Sequence, residues 1–462
     1  MKIKCDLKKL RDKAPLVHII SNGVTRGRVA DFALSIGASP MMAEYSKEVS
    51  EITKKASALV LNMGMLNEDK IKAIKIAAKT AKENNIPLVL DPVGVGSSEI
   101  RRDLAKYLLD NFKFNVIRGN FSEINYLAGG KASAGIDSRD KNLSEEDFIE
   151  LAVKVNKKTG ATLVVSGKYE VIANSHMLIS IPGGHDSLRK ISGLGDMESA
   201  MIGSLLAAPM SNLKACAISS IFFRQLAREV IVDGSINAQD IISKIQRLDE
   251  ISGDIEILSP SYKFARPSLY GISDGNDLLK IKNATRAGMK IYQLRDKTSD
   301  EALLGEKILK IKKEIEETYL FILNDNLKLA KEYETSLHLG QDDEEISLAR
   351  KILGRDPIIG ATAKTAELAI EAENMGASYI GSGAFFETET KKDASMINLE
   401  IYKDIRDSIL IPAFPIGGIN KDNLDLFKGV DIPGLCMSSG IFSLDENEVE
   451  KNVREIISKL NS

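Results

Sequence analysis

The chain has 462 residues, too many for one small core, and a length prior of about 150 residues per domain gives two or three domains. Its 62 Lys and Arg nearly balance 65 Asp and Glu, a formal net charge of −3, which leaves no electrostatic footprint for nucleic acid or an anionic membrane. Three widely spaced cysteines (Cys5, Cys216, Cys436) exclude a disulfide framework or a Cys-based zinc site, and His18, His176, His185 and His338 share no metal-ligand spacing. The charged N-terminal stretch MKIKCDLKKLRDK has no apolar h-region. The longest uncharged stretch, Ser199–Leu213, is broken by Pro209 and falls short of the ~20 residues of a membrane span. The expectation is a cytoplasmic protein that works on small molecules, with no membrane or nucleic-acid partner.

Short apolar, β-rich runs alternate with helix-periodic stretches along the whole chain, the pattern of parallel α/β sheets. In the first half the expected strands are Leu16–Ser21, Ala58–Asn62, Pro87–Asp91, Val116–Gly119 and Thr162–Ser166. Asn67–Asn84 reads as a helix between two of them. Two further runs, Val171–Asn174 and Met177–Ile181, lead into a glycine-rich loop. Met197–Ala208 and Asn212–Val232 then read as buried helices separated at Pro209. Near residue 260 the pattern resets across Ser259-Pro260-Ser261 and Arg266-Pro267. Eight apolar runs follow: Leu269–Ser273, Met289–Leu294, Tyr319–Leu323, Ser336–Leu339, Pro357–Gly360, Tyr379–Gly381, Ala413–Ile416 and Gly434–Met437. All but the last two are followed by a clear helical or connecting segment, which suits a compact (β/α)8 barrel. The expected domains are residues 1–260 and 267–462.

In the first domain the most informative segment is GGHDSLRKISGLGD, Gly183 to Asp196. Glycines let backbone N–H groups converge and a following helix start adds positive potential, so phosphate suits the place. Asp196 would there take the proton from an attacking hydroxyl. The same residues would also make an ordinary glycine-rich turn with Asp196 as a helix N-cap. Asp91-Pro92-Val93-Gly94 puts a carboxylate at a strand's C-terminal end, where open α/β sheets bind ligands. Arg118-Gly119-Asn120-Phe121-Ser122-Glu123 adds a cation and a carboxylate suited to nucleotide phosphate and hydrated Mg²⁺.

These segments, with Ser21-Asn22-Gly23-Val24-Thr25 and Gly37-Ala38-Ser39-Pro40-Met41-Met42-Ala43, make residues 12–255 resemble hydroxyethylthiazole kinase, of the ribokinase-like superfamily. The resemblance implies Mg²⁺-dependent phosphorylation of a thiazole alcohol by ATP and a homo-oligomer built on trimers. By position it implies that Met42 and Gly193 contact the thiazole, Arg118 and Ser166 the ATP, and Glu123 the metal site, with Asp196 as base. Two other readings stand beside it: a kinase for a related pyrimidine or pyridoxal-like alcohol, and a non-catalytic thiazole-binding or oligomerisation module. Leu194 and Arg26, where the family pattern is smaller or more neutral, are the features behind the second.

In the second domain polar residues collect at strand ends, where a barrel carries its active site. Strand 2 ends in Gln293-Leu294-Arg295-Asp296-Lys297, strand 3 in Asn324-Asp325 and strand 4 in His338-Leu339-Gly340-Gln341-Asp342-Asp343. Asp325 and Asp343, from adjacent strands, can share one Mg²⁺ beside Arg295 and Lys297, a diphosphate–Mg²⁺ clamp. Gly417-Gly418 and Ser438-Ser439-Gly440 after strands 7 and 8 suit a second, monophosphate site.

Residues 267–445 thereby resemble thiamine-phosphate synthase. The resemblance implies that a pyrimidine diphosphate ionises and a thiazole phosphate nitrogen captures the cation. By position Gln293, Arg295, Lys297, Asn324, Thr362 and Lys391 would hold the pyrimidine diphosphate. Thr388, Glu389, Thr390, Gly418, Ser438 and Ser439 would hold the thiazole phosphate, and Asp325 and Asp343 the Mg²⁺. His338 reads as a structural side chain rather than a proton shuttle. Together the two resemblances imply a fusion of consecutive enzymes, an α/β ribokinase-like domain followed by a (β/α)8 TIM barrel.

Overall fold

The computed structural model describes residues 1–130, 143–182, 191–229, 237–259, 268–315, 320–387 and 396–461, and divides into two compact units, Met1–Ser259 and Pro260–Ser462. The strands of the first unit are β1 (Lys2–Asp6), β2 (Leu16–Ile20), β3 (Ser39–Met41), β4 (Ala58–Asn62), β5 (Leu88–Asp91), β6 (Val116–Asn120), β7 (Thr162–Ser166), β8 (Val171–Ala173), β9 (Leu178–Ser180), β10 (Glu250–Asp254) and β11 (Glu256–Ile257). Nine of them form one sheet in the order β11-β9-β8-β7-β6-β5-β4-β2-β3. From β3 to β7 neighbouring strands are parallel, and β8, β9 and β11 extend that edge antiparallel.

The central strands read as unbroken apolar runs because both sheet faces are covered. On β4, Leu59 and Leu61 join a core with Ala73, Ile74 and Ala77 of the helix Glu68–Glu83. Val60, pointing the other way, meets the helix Leu194–Ala207, where a Cβ on Gly203 would lie 2.3 Å from Val60 Cγ2. That glycine is the close approach by which a helix buried over Met197–Leu206 sits on the sheet. Asn67, expected inside its helix, is instead the N-cap, its side chain accepting from Lys70 N at 2.8 Å.

One expectation needs correction in this unit. The helix expected over Met197–Ala208 begins earlier, at Leu194, with Gly193 as the cap residue at φ +85°, so Asp196 lies in its first turn and is not the N-cap. The N-terminal segment, charged throughout in sequence, is partly a strand: β1 pairs antiparallel with β10, burying Ile3 and Cys5 and exposing the lysines. That period-2 alternation was hidden by the short apolar content of the stretch.

The second unit is a closed barrel of eight parallel strands, β12 (Ser268–Ser273), β13 (Ile291–Leu294), β14 (Leu320–Asn324), β15 (Ser336–Leu339), β16 (Ile359–Thr362), β17 (Tyr379–Gly383), β18 (Ala413–Ile416) and β19 (Gly434–Met437). Its interior is packed by Tyr270, Ile291, Ile322, Tyr379, Phe414 and neighbours. The last strand, read as lacking a clear helix, is followed by Ser439–Phe442 and then by Glu446–Leu460. The three cysteines Cys5, Cys216 and Cys436 are buried and free.

One buried cation holds the barrel's far side together. Arg350 donates to the carbonyls of Gly354 (2.9 Å), Pro357 (2.7 Å) and Gly376 (2.8 Å) and to Ser378 Oγ (2.9 Å), tying the approaches to β16 and β17. Arg350→Met should therefore leave several buried carbonyls unpaired and destabilise the barrel by about 3 kcal/mol. Denaturant unfolding followed by loss of barrel activity measures it; an unchanged midpoint contradicts this role.

Candidate active sites

The first site forms at the carboxyl ends of the parallel strands, where this sheet type binds ligands. Asn62 ends β4, Asp91 ends β5 and Ser166 ends β7, while Arg118 lies within β6. The Asp196 carboxylate projects toward them from the helix start. Asn62 Nδ2 donates to Asp196 Oδ1 at 2.8 Å, and Thr25 Oγ1 donates to Asp196 Oδ2. Both carboxylate oxygens are thus oriented by neutral donors, a placement suited to a group that accepts a proton.

Both glycines of Gly193-Leu194-Gly195-Asp196 have steric reasons. A Cβ on Gly193 would fall 2.5 Å from Thr25 Cγ2, and one on Gly195 would fall 2.2 Å from Arg118 Nη1. Arg118 packs beneath the helix start, its Nε donating to Glu198 Oε2 at 3.0 Å and its Nη2 to Ser166 Oγ at 3.0 Å. Burial opposes its charge, but Glu198, Asp91, Glu170 and Glu123 around it outweigh burial and hold its pKa above the ordinary value. The pairing continues inward: Ser220 Oγ donates to both Glu198 and Glu170, and Arg224 donates to Glu170 at 2.8 Å. Burial, then Glu198, pushes the Glu170 carboxyl up to about 7.

Glu123 is committed to backbone on both oxygens. Oε1 accepts from Gly94 N (3.0 Å) and Oε2 from Asn120 N (2.9 Å), closing a capping box on the helix Phe121–Leu127. The Gly94 bond ties the Asp91-Pro92-Val93-Gly94 turn to the β6 end, and burial raises the Glu123 pKa. Asp91 is fully enclosed: Ser199 Oγ donates to Oδ2 at 2.7 Å, whereas Oδ1 has no hydrogen-bond partner among the described residues. Burial first, with the Asp196 and Glu123 charges adding, pushes the Asp91 carboxyl up to about 8 despite Arg118. That leaves one unpartnered buried carboxyl oxygen close to the Glu123 and Asp196 charges.

Met42 is half-buried in the segment after β3, and that segment is pinned by His18, whose Nε2 lies 2.8 Å from Ala43 O and Nδ1 2.8 Å from Thr53 Oγ1. Arg26, a departure from the expected neutral stretch, forms an ion pair with Glu44. Residues 183–190, the first part of the glycine-rich loop, lie outside the described residues.

The second site is the mouth of the barrel, a pocket lined by Gln293, Arg295, Lys297, Asn324, Thr362, Gly418, Ser438 and Ser439, and by Asp325 and Asp343. Gln293, nearly fully buried, donates from Nε2 to Asn324 Oδ1 at 2.9 Å, which fixes both amides. Asp325 adopts φ +63°, tolerable for Asp, while its N–H donates to His338 O at 2.8 Å, tying β14 to β15. Lys297 Nζ sits 3.5 Å from Asp325, and Asp343 Oδ2 accepts from Gly340 N at 2.6 Å. Burial and then the adjoining Asp343 push the Asp325 carboxyl up to about 6, the mark of two carboxylates sharing one place. Asp296, between the two cations, points away and is held well below the carboxylate range by hydrogen bonds from Lys307 and Ser299, which outweigh its desolvation.

The pocket floor is aromatic. Tyr270 and Tyr379 share a 2.7 Å hydrogen bond, Tyr379 contacts His338 Nδ1 at 2.8 Å, and His338 Nε2 contacts Thr362 Oγ1 at 3.0 Å. His338 is thus anchored on both nitrogens. Gly417 and Gly418 take φ +100° and +66°, and a Cβ on Gly418 would lie 2.6 Å from Phe386 Cβ, so only glycine lets that turn close on the pocket. Thr388, Glu389, Thr390 and Lys391 lie outside the described residues.

Sequence reasoning assigned no role to Asn62, Thr25, Glu198 or the Tyr270–Tyr379 pair. Glu198 carried a signal, a lone charge inside an apolar helix; Asn62 carried only its place at the end of a buried strand.

A model of the hydroxyethylthiazole kinase family matches residues 7–253, and a thiamine monophosphate synthase model matches residues 269–441. The chain is 36% identical over 252 residues to a hydroxyethylthiazole kinase of Ruminiclostridium cellulolyticum, covering 53% of this chain and 92% of that protein. It is 29% identical over 454 residues to the thiamine biosynthesis bifunctional protein ThiM/ThiE of Symbiobacterium thermophilum, covering 94% of this chain and 93% of that protein. Among solved structures, hydroxyethylthiazole kinase from Pyrococcus horikoshii OT3 matches at 26% identity and TM-score 0.49, over 55% of this chain and 97% of that one.

Proposed function

Because the chain belongs to the hydroxyethylthiazole kinase family and carries a thiamine monophosphate synthase domain behind it, we propose that its two units catalyse consecutive steps, with the residues named above in specific roles. In the first step the hydroxyl of 4-methyl-5-(2-hydroxyethyl)thiazole attacks the γ-phosphoryl group of ATP. In the second, the nitrogen of the thiazole phosphate attacks the methylene of 4-amino-2-methyl-5-(diphosphooxymethyl)pyrimidine, giving thiamine phosphate and diphosphate.

The observation that carries the kinase reading is the Asp196 carboxylate, held by Thr25 and Asn62 at the first turn of a helix beside Arg118. The base takes the hydroxyl proton while the helix start and Arg118 receive the charge that gathers on the phosphoryl oxygens. The bland alternative, a capped turn, is disfavoured because Gly193 is the cap residue. On the barrel, Arg295, Lys297 and Asn324 would hold the departing diphosphate, Gly418, Ser438 and Ser439 the thiazole phosphate, and the aromatic floor the pyrimidine ring.

The families imply Mg²⁺ at both sites, and the residues present fit it. Asp91 offers an unpartnered buried oxygen beside Glu123, and Asp325 with Asp343 forms a carboxylate pair whose repulsion a dication relieves. What Mg²⁺ supplies when bound is positive charge for the phosphoryl and diphosphate oxygens.

A homo-oligomer, built on trimers through the kinase unit, belongs to the same proposal. Exposed Val24, Tyr45 and Met65 on loops of the kinase unit and Met41 at the end of β3 support it, since apolar side chains there suit a subunit contact. Sedimentation equilibrium returning a monomer contradicts it. No helix among the described residues is long and apolar enough to cross a membrane.

The substrate of the first step is tested by comparing kcat/KM for the thiazole alcohol with that for hydroxymethylpyrimidine and pyridoxal. Preference for the thiazole alcohol by at least about tenfold is expected, a discrimination of about 1.4 kcal/mol. Preference for another alcohol overturns this assignment, and tight thiazole binding without ADP formation favours a binding module.

A further inference from the structure

Lys70 stands in the first turn of the helix Glu68–Glu83, only 3% exposed, with its ammonium turned into the first unit. The position is unfavourable twice over. A cation at a helix N-terminus opposes the dipole, and a buried ammonium needs strong partners to compensate for lost water. Its hydrogen-bonding partners are two backbone carbonyls from different loops, Ser21 O and, at 2.6 Å, Gly64 O. A fold that needed only filling at this point would be served by an apolar side chain.

Both loops lead to the same carboxylate. Next to Ser21, Asn22 O accepts from Thr25 N (3.1 Å) and Thr25 Oγ1, and the same Thr25 hydroxyl contacts Asp196 Oδ2. On the other loop, Gly64 N donates to Asn62 Oδ1 at 2.8 Å, and Asn62 Nδ2 donates to Asp196 Oδ1 at 2.8 Å. The loops also pack on one another: a Cβ on Gly64 would lie 2.8 Å from Asn22 Cγ and 2.9 Å from Asn62 Oδ1.

We infer that Lys70 is a positioning residue for phosphoryl transfer, its ammonium clasping the two loops that present Thr25 and Asn62 to the Asp196 carboxylate. The inference rests on Asp196 being the base. Burial lowers the Lys70 pKa to about 8, with Glu44 and Asp196 favouring and Arg26 and Arg101 opposing the charge, so at neutral pH the ammonium is present to donate. Its contacts differ from those of Arg118, which donates to Glu198 and Ser166 rather than to the two loops.

The test is a double-mutant cycle on the full chain, with Lys70→Met, Asp196→Asn and the double variant, assayed for thiazole phosphorylation with labelled ATP. Lys70→Met is expected to lower kcat about 10- to 100-fold with KM for ATP and thiazole alcohol within about threefold. In the Asp196→Asn background the same change should cost less than about threefold, because the carboxylate it positions is gone. Lys70→Gln, which keeps N–H donors without the charge, should fall between wild type and Lys70→Met, and serves if the Met variant does not fold. Thermal unfolding reports whether each variant is folded. Unimpaired kcat in folded Lys70→Met or Lys70→Gln beside an impaired Asp196→Asn overturns this inference alone. Equal losses in both backgrounds also overturn it, marking Lys70 as merely structural. An Asp196→Asn variant that keeps its rate overturns the base assignment and this inference with it.

Discussion

Asp196→Asn is expected to lower thiazole phosphorylation by about 10²- to 10⁴-fold, the usual contribution of a general base. Asn has the same shape, but its single amide oxygen keeps only one of the two hydrogen bonds from Asn62 and Thr25, and the other donor then faces its NH2 group. The loss should fall on kcat more than on KM, because the carboxylate acts on the hydroxyl proton in the transition state. Initial rates with saturating ATP measure it. Synthase activity on added thiazole phosphate should be unchanged in the same preparation, since Asp196 belongs to the other unit. A variant with wild-type kcat contradicts the base assignment.

Asp325→Asn is expected to lower synthase turnover by about 10²- to 10³-fold and to raise the Mg²⁺ concentration for half-maximal rate, leaving the kinase intact. Asn tolerates the positive φ of 63°, so the backbone turn between β14 and β15 should survive and the lost charge is what is read. A pH signature accompanies it. With its pKa raised to about 6, Asp325 is protonated below that pH, so wild-type Mg²⁺ affinity should weaken as pH falls through about 6. In Asp325→Asn that inflection should vanish. A retained inflection, or a wild-type rate, contradicts the cation role of the Asp325–Asp343 pair.

What the sequence made legible was governed by locality. The barrel strands were readable because each is an apolar run ending in polar residues, and Gln293 through Lys297 or Asn324-Asp325 announce the mouth directly. The strands β4 to β7 and the parallel character of the first sheet followed from the βα rhythm. Short elements such as β1, β3 and β11 were not readable, since a pattern over two to five residues does not stand out and their pairing comes from distant chain. At the kinase site, Asp196 was visible through its glycines, yet the donors that orient it come from residues 25 and 62, brought in only by the sheet. Glu123 suggested a metal ligand by composition, and the fold adds a capping box that occupies one of its oxygens and a Gly94 N–H bond that occupies the other. Arg118 and Ser166 were both expected at the ATP, and folding makes them direct hydrogen-bond partners. Long-range pairing of this kind leaves no local pattern to find.

The most direct test of the two-step account is product analysis of the purified full chain. It is given the thiazole alcohol, ATP, Mg²⁺ and the pyrimidine diphosphate, alongside its Asp196→Asn variant. The account predicts thiamine phosphate from the wild type, its loss in the variant, and its return when thiazole phosphate is added. Formation of thiamine phosphate by the wild type only from added thiazole phosphate would contradict it.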